Sequence, residues 1–126
     1  ITIIKNIISD KNLKTRLLVM STESNIVVQK RCSKMGIECK SGVTDKALCL
    51  SSIISETEKL FGTHIDSREI AYIGNDVNDL EAMKLASHRF VPQDGHPAVI
   101  AEATKVFKET GGNGFVRAVV EYLLIE

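Results

Sequence analysis

The sequence predicts a single α/β domain built on a doubly wound, Rossmann-like parallel sheet. Three observations predict it. The runs Leu17-Leu18-Val19-Met20 and Ile70-Ala71-Tyr72-Ile73 are short and continuously apolar, as strands buried on both faces of a parallel sheet are. Longer segments with apolar residues at helical spacing alternate with such runs. The apolar runs also lead into clusters of hydroxyls, amides and carboxylates, where open parallel sheets bind ligands.

Taken in order, Ile1 to about Lys11 carries Ile1, Ile3, Ile4, Ile7 and Ile8, which reads as a helical stripe. Leu17–Met20 is the first buried strand. Asn25 to Met35 carries Ile26, Val27 and Cys32 at helical spacing, and Gly36 stands where a helix ends in a left-handed residue. Ile37–Cys39 is a short strand. Asp45 to Phe61 is a long amphipathic helix with Leu48, Ile53, Ile54 and Leu60 on or near one face, stopped by Gly62. Ile70–Ile73 is the next strand and Asp79 to Ala86 a helix. Arg89–Val91 is a short strand ended by Pro92, and Pro97 opens a helix to about Ala103. Lys105–Phe107 is a last strand, Gly111–Gly114 a loop, and Phe115 to Leu124 a closing helix. Linkers, repeats and low-complexity segments are absent, so residues 1–126 read as one domain.

Composition narrows the function classes. Lys+Arg and Asp+Glu both number 16, and this balance argues against a nucleic-acid surface. No apolar stretch approaches the roughly 20 residues that span a bilayer, so no membrane partner is expected. Cys32, Cys39 and Cys49 lack metal or disulfide spacing and read as free thiols of a reducing, cytoplasmic compartment. His64, His88 and His96 are too irregularly spaced for a metal site. The first residue is Ile rather than Met, as in a processed, truncated or partly observed polypeptide.

The chemistry concentrates after the strands. Ser21-Thr22-Glu23-Ser24-Asn25 follows the first, Ser41 to Lys46 the second, and Gly74-Asn75-Asp76-Val77-Asn78-Asp79 the third. Hydroxyls donate to phosphate oxygens, Lys supplies a compact positive charge, and carboxylates bind a hard cation through oxygen. Ser21, Thr22, Ser24, Asp45, Asp76 and Asp79 also suit helix caps. The fold brings three strand ends to one rim, which favours the binding reading.

"LLVMS" (Leu17–Ser21), Lys46 in "GVTDK" and "GNDVND" (Gly74–Asp79) resemble three successive motifs of the haloacid dehalogenase superfamily. "STESNIVVQKRCSKMGI", "AYIGNDVNDLEAM", "PQDGHPAV" and "GGNGFVRAVVEYLL" extend the likeness along almost the whole chain. The series resembles the 3-deoxy-D-manno-octulosonate 8-phosphate phosphatase branch. It looks most like the related domain fused to the C-terminus of CMP-sialic acid (N-acylneuraminate) synthetases, because "STESN" stands where the phosphatases usually carry "TGR".

The resemblance implies that Ser21, with Thr22, binds phosphate and that Lys46 neutralises it and steadies a nucleophile. It implies Mg²⁺ held by the Asn75, Asp76 and Asp79 loop, with Asn75 in place of the usual carboxylate. Arg117 matches a tail residue that reaches a neighbouring subunit's site, and a homo-tetramer is the implied assembly. The implied substrate is a phosphorylated keto sugar acid. The family's Asp-x-Asp-x-(Thr/Val) strand is not found. Asp10, the Asp that precedes the first buried strand, has no partner two residues on. The central strand of the sheet is therefore expected to be missing. Three ways of filling the slot are expected: a preceding segment, a strand from another chain, or direct pairing of Leu17–Met20 with Ala71–Ile73. Two functions follow, a Mg²⁺-dependent phosphatase or an inactive oligomerisation module of a synthetase. A receiver-like domain lacks its acidic pair and phosphoacceptor Asp.

Overall fold

The computed structural model describes residues 2–8, 12–24, 26–111 and 113–125. Its strands are β1 (Thr2–Ile8), β2 (Asn12–Met20), β3 (Glu38–Lys40), β4 (Ile70–Ile73), β5 (His88–Pro92) and β6 (Lys105–Phe107). Its helices are α1 (Ile26–Met35), α2 (Lys46–Phe61), α3 (Leu80–Met83), α4 (Pro97–Ala101) and α5 (Phe115–Ile125). The strands form one sheet in the order β3-β2-β1-β4-β5-β6. This is the doubly wound order, with the direction of winding reversing beside β1.

β1 corrects two expectations. Residues 2–8 are a strand, not a helix, and they occupy the central slot themselves. Thr2 lies opposite Leu18 on one side and Tyr72 on the other, and β1 runs antiparallel to both neighbours. The remaining strands are parallel, so the sheet is mixed. All residues of β1 except Lys5 and Asn6 are β-branched, stiff at χ1 and better suited to a pleated surface than to a helix. Two flanking strands with unpaired backbone groups supply the rest of the preference. Direct pairing of β2 with β4 does not occur. Ile1 and residues 9–11, including Asp10, lie outside the described residues, as do Asn25 and Gly112.

Alternation along β4 sets the two cores. Ile70 and Tyr72 join Leu18, Met20, Leu50, Ile53, Val91 and Val99 beneath α2, α3 and α4. Ala71 and Ile73 face the other way, joining Phe90, Phe107, Phe115 and Val119 beneath α5. Phe90 and Phe107 meet edge to face at 5.6 Å, and Phe107 and Phe115 at 5.7 Å.

α2 is the longest element. Asp45 caps its start, accepting from the Leu48 N–H at 3.0 Å, and Gly62 ends it in a left-handed turn at φ 71°. The predicted apolar face is rotated. Leu50, Ile53 and Thr57 are buried, whereas Leu48 and Leu60 are exposed. α1 likewise buries Cys32 and exposes Ile26 and Val27. The helix predicted from Asp79 begins as a 3₁₀ turn, Val77–Asp79, which leads into the single turn of α3.

Further down α2, Arg16 of β2 ties three elements together. Its guanidinium grips both carboxylate oxygens of Glu38 at 3.0 and 2.8 Å. It also donates to Glu56 and to the buried Thr57 hydroxyl, each at 2.8 Å. Thr57 passes its own proton to the Ile53 carbonyl at 2.6 Å. The edge strands β3 and β6 are three residues each and both carry a lysine. Lys105 of β6 lies over the rings of Phe107 and Tyr122, at 5.2 and 5.0 Å. Among the described residues no helix is long and apolar enough to cross a membrane.

Candidate phosphate site at the sheet rim

In a doubly wound sheet the crevice opens where the winding reverses, beyond the carboxyl ends of the parallel strands. Here that point lies between the ends of β2 and β4. The loop after β4 is built around Asp79, which is buried. Its Oδ2 accepts the backbone N–H groups of Asn75 at 3.0 Å and Asp76 at 3.2 Å. Its Oδ1 accepts the Tyr72 hydroxyl at 2.7 Å and the Lys46 ammonium at 2.9 Å. Lys46 also donates to the Asn78 amide oxygen at 3.2 Å. Gly74 makes this packing possible: a Cβ there would lie 2.9 Å from the Asp79 Cβ and 3.0 Å from its Cγ.

The electrostatics follow from these bonds. Burial works against ionisation of Asp79, but donors from Tyr72, Lys46 and Asn75 outweigh it and hold the carboxyl below the usual range. Burial, then the Asp79 charge, pushes the Tyr72 phenol far above its ordinary range. The hydroxyl thus stays a donor. Lys46 has three N–H donors, and its bonds to Asp79 and Asn78 engage two of them.

The loop after β2 reaches the same rim by backbone. The Ser21 N–H donates to the Lys40 carbonyl and the Val43 N–H to the Ser21 carbonyl, both at 2.9 Å. Ser21 is thereby laced to the segment leading into Asp45 and Lys46. Its hydroxyl oxygen accepts the Glu23 N–H at 3.1 Å, which leaves the hydroxyl proton to donate elsewhere. Thr22 is exposed beside it. From the third side, the His96 N–H donates to the Asn75 carbonyl at 2.9 Å, and Asp94 accepts the Gly111 N–H at 3.1 Å.

Of the residues singled out from sequence, Lys46 and Asp79 meet directly, and Asn75 and Asp76 join them through their backbones. Ser21 and Thr22 stand on the adjoining loop. Arg117 stands apart on α5, its side chain 84% exposed and paired with Glu121 at 3.2 Å. Sequence reasoning named Asn78 within its loop but missed Tyr72. A tyrosine inside an otherwise apolar buried strand was a usable signal, because a buried hydroxyl needs a partner.

Comparison with known proteins identifies the fold. No protein-family model matches the chain. A HAD family hydrolase from Streptomyces avermitilis superposes with a TM-score of 0.76 at 26% identity, covering 94% of this chain and 75% of that one. The 3-deoxy-D-manno-octulosonate 8-phosphate phosphatase of Moraxella catarrhalis, crystallised with magnesium, phosphate and KDO, gives 0.69 at 25% identity, covering 95% and 76%. The chain has the haloacid-dehalogenase-like fold. It is 32% identical over 100 residues to the 3-deoxy-D-manno-octulosonate 8-phosphate phosphatase KdsC of Escherichia coli K12, covering 79% of this chain and 50% of that protein. The corresponding protein of Salmonella typhimurium matches to the same extent. The chain spans about half the length of the curated relatives it matches.

Because relatives have been crystallised with magnesium or cobalt, a divalent cation is the group to test against this domain's loop. The Asp79 carboxylate already accepts four hydrogen bonds, about its full capacity. Asp76 spends Oδ1 on the Val77 N–H at 2.7 Å as the cap of its own turn. Asn75 offers a neutral amide. Among the described residues no cluster of three His, Cys, Asp or Glu side chains suits a metal. With Asp79 saturated, the loop offers a cation only the Asp76 carboxylate and the neutral Asn75 amide, a weak donor set.

Proposed function

We propose that this chain is the phosphate-binding part of a haloacid-dehalogenase-type phosphatase acting on an eight- or nine-carbon keto sugar acid phosphate. The observation that carries this reading is Lys46. Its ammonium is held by Asp79 and Asn78 at the switch point of the sheet, in a chain 32% identical to octulosonate 8-phosphate phosphatases. A phosphate monoester carries its charge on peripheral oxygens, and catalysis of its transfer is largely positioning and electrostatic stabilisation. Lys46 contributes the cation and its remaining N–H. Ser21 contributes a hydroxyl proton, with Thr22 beside it. Mg²⁺ enters this reading only as an ion held weakly at Asp76 and Asn75, and no step runs through it. Arg117 enters as a residue offered to a neighbouring copy in a homo-tetramer.

A second reading is an oligomerisation module, with the chain belonging to a CMP-sialic acid synthetase. Two observations favour it. The strand beside β2 and β4 carries no Asp, so β1 supplies no attacking carboxylate. Asn75 also removes one charge from the loop where family phosphatases hold their metal.

The deciding experiment incubates the chain with 3-deoxy-D-manno-octulosonate 8-phosphate and with N-acetylneuraminate 9-phosphate in Mg²⁺, and measures released phosphate. Phosphorus NMR of added inorganic phosphate and sedimentation velocity accompany it. Turnover abolished by Lys46→Ala supports the phosphatase. Tetramer formation without turnover or phosphate binding supports the module. A monomer that neither binds nor hydrolyses phosphate defeats both.

A further inference from the structure

We infer that Tyr72 is a positioning residue: through Asp79 it fixes where the Lys46 ammonium stands. The inference rests on the reading of Lys46 as the phosphate-facing cation and adds the group that sets its place. Tyr72 is 1% exposed, in a strand whose other residues are Ile70, Ala71 and Ile73. Phenylalanine would fill that core equally well, and a buried hydroxyl is costly unless bonded. The hydroxyl is spent on one atom, Asp79 Oδ1 at 2.7 Å, which is also the atom that Lys46 grips at 2.9 Å.

The geometry gives each donor a separate task. The Asn75 and Asp76 N–H groups hold Oδ2 and so tie the carboxylate to its own loop. That loop is otherwise exposed from Asn75 to Asn78. Tyr72 belongs to β4, paired on both sides within the sheet, and ties the same carboxylate to the rigid part of the domain. With four donors converging, the carboxylate cannot rotate, and the lysine meets an acceptor fixed in both direction and place. Without the phenol, Oδ1 would be held by the lysine alone, a flexible side chain with many rotamers. Burial of Tyr72 keeps the phenol protonated, so it donates throughout the neutral range.

The test reads Lys46 itself, without any phosphate. Protein labelled with ¹⁵N-lysine gives ammonium signals, and Lys46→Arg assigns the one of interest. The Lys46 ammonium is expected to exchange with water at least about tenfold more slowly than exposed lysines, as its charge-assisted bonds require. In Tyr72→Phe that protection falls several-fold, while the backbone amide spectrum of β4 and β5 stays in place. Unchanged Lys46 protection in a folded Tyr72→Phe protein overturns the inference, because a tyrosine that only fills the core would behave that way. Should that variant not fold, the wild type decides: a separate, slowly exchanging Tyr72 hydroxyl proton supports the inference, and its absence overturns it. Adding inorganic phosphate afterwards tests the other reading. Failure of phosphate to move the Lys46 signal would sink the phosphate assignment and leave the Tyr72 result standing.

Discussion

Two ionic clusters sit along α2, about 15 Å apart by helix rise, and they are built differently. At Glu56 and Thr57, Arg16 brings a planar fork to two carboxylates and a hydroxyl. Its own side chain is 8% exposed, but Glu38 and Glu56 are 48% and 57% exposed. At the N-terminal end, Lys46 and Asp79 are 11% and 6% exposed. There the carboxylate is saturated and the cation keeps a donor. The lower cluster can exchange its partners for water. The upper one does so less readily, because both charges are largely buried. A clamp joining β2, β3 and α2 needs only geometry. A site needs a charge held in place and left partly unspent, and Lys46 has both.

The sharpest way to break this contrast is to remove Asp79. Asp79→Ala strands the Lys46 ammonium, the Tyr72 hydroxyl and two backbone N–H groups, and is expected to cost about 3–5 kcal/mol in urea unfolding. Arg16→Met leaves carboxylates that turn to water and a Thr57 hydroxyl still bonded to Ile53. It is expected to cost about 1–2 kcal/mol. Equal losses in the two variants would dissolve the distinction. Gly74→Ala is expected to cost about 1–3 kcal/mol, because its Cβ pushes on Asp79.

Acid offers a subtler test. Asp79 is held below its ordinary range by donors that overcome burial, and Glu38 chiefly by the Arg16 hydrogen bonds. A carboxyl with a depressed folded value binds fewer protons folded than unfolded. Both groups therefore contribute stability above about pH 4 and lose it as pH falls further. Urea midpoints followed downward from pH 6 should decline below that value, and less so in Asp79→Asn. The smallest expected effect is on metal. Asn75→Asp restores one charge beside Asp76, and titration calorimetry should show weak Mg²⁺ binding becoming tighter. Unchanged affinity would mean that residue 75 does not touch the ion.

The parallel strands were legible because burial on both faces writes itself as unbroken apolar runs, as in Ile70–Ile73. Lys46, Asn75, Asp76 and Asp79 were legible because their loops follow strand ends. β1 was not, since its Ile spacing satisfies a helix and a strand equally, and the choice depends on β2 beside it and on β4 about 70 residues away in sequence. The buried face of α2 was misjudged for a related reason. Leu48 and Leu50 are equally apolar, and only the path of the helix over β2 decides which goes inside. Neither Arg16 nor Tyr72 shows its role in the residues around it. Their partners come from 40 residues downstream and from the following loop, distances at which local pattern is silent.

The two outer strands limit how copies of this chain could meet one another. An exposed strand edge is a template for a further strand, and long flat edges invite runaway stacking. β3 and β6 each offer only three residues, with Lys40 at the end of one and Lys105 in the other. Lys105 is also pinned against Phe107 and Tyr122. Adding a strand at either side would gain few hydrogen bonds and would crowd a charge. Any contact between copies would thereby fall on helical faces, where an assembly can close on itself instead of growing as a ribbon.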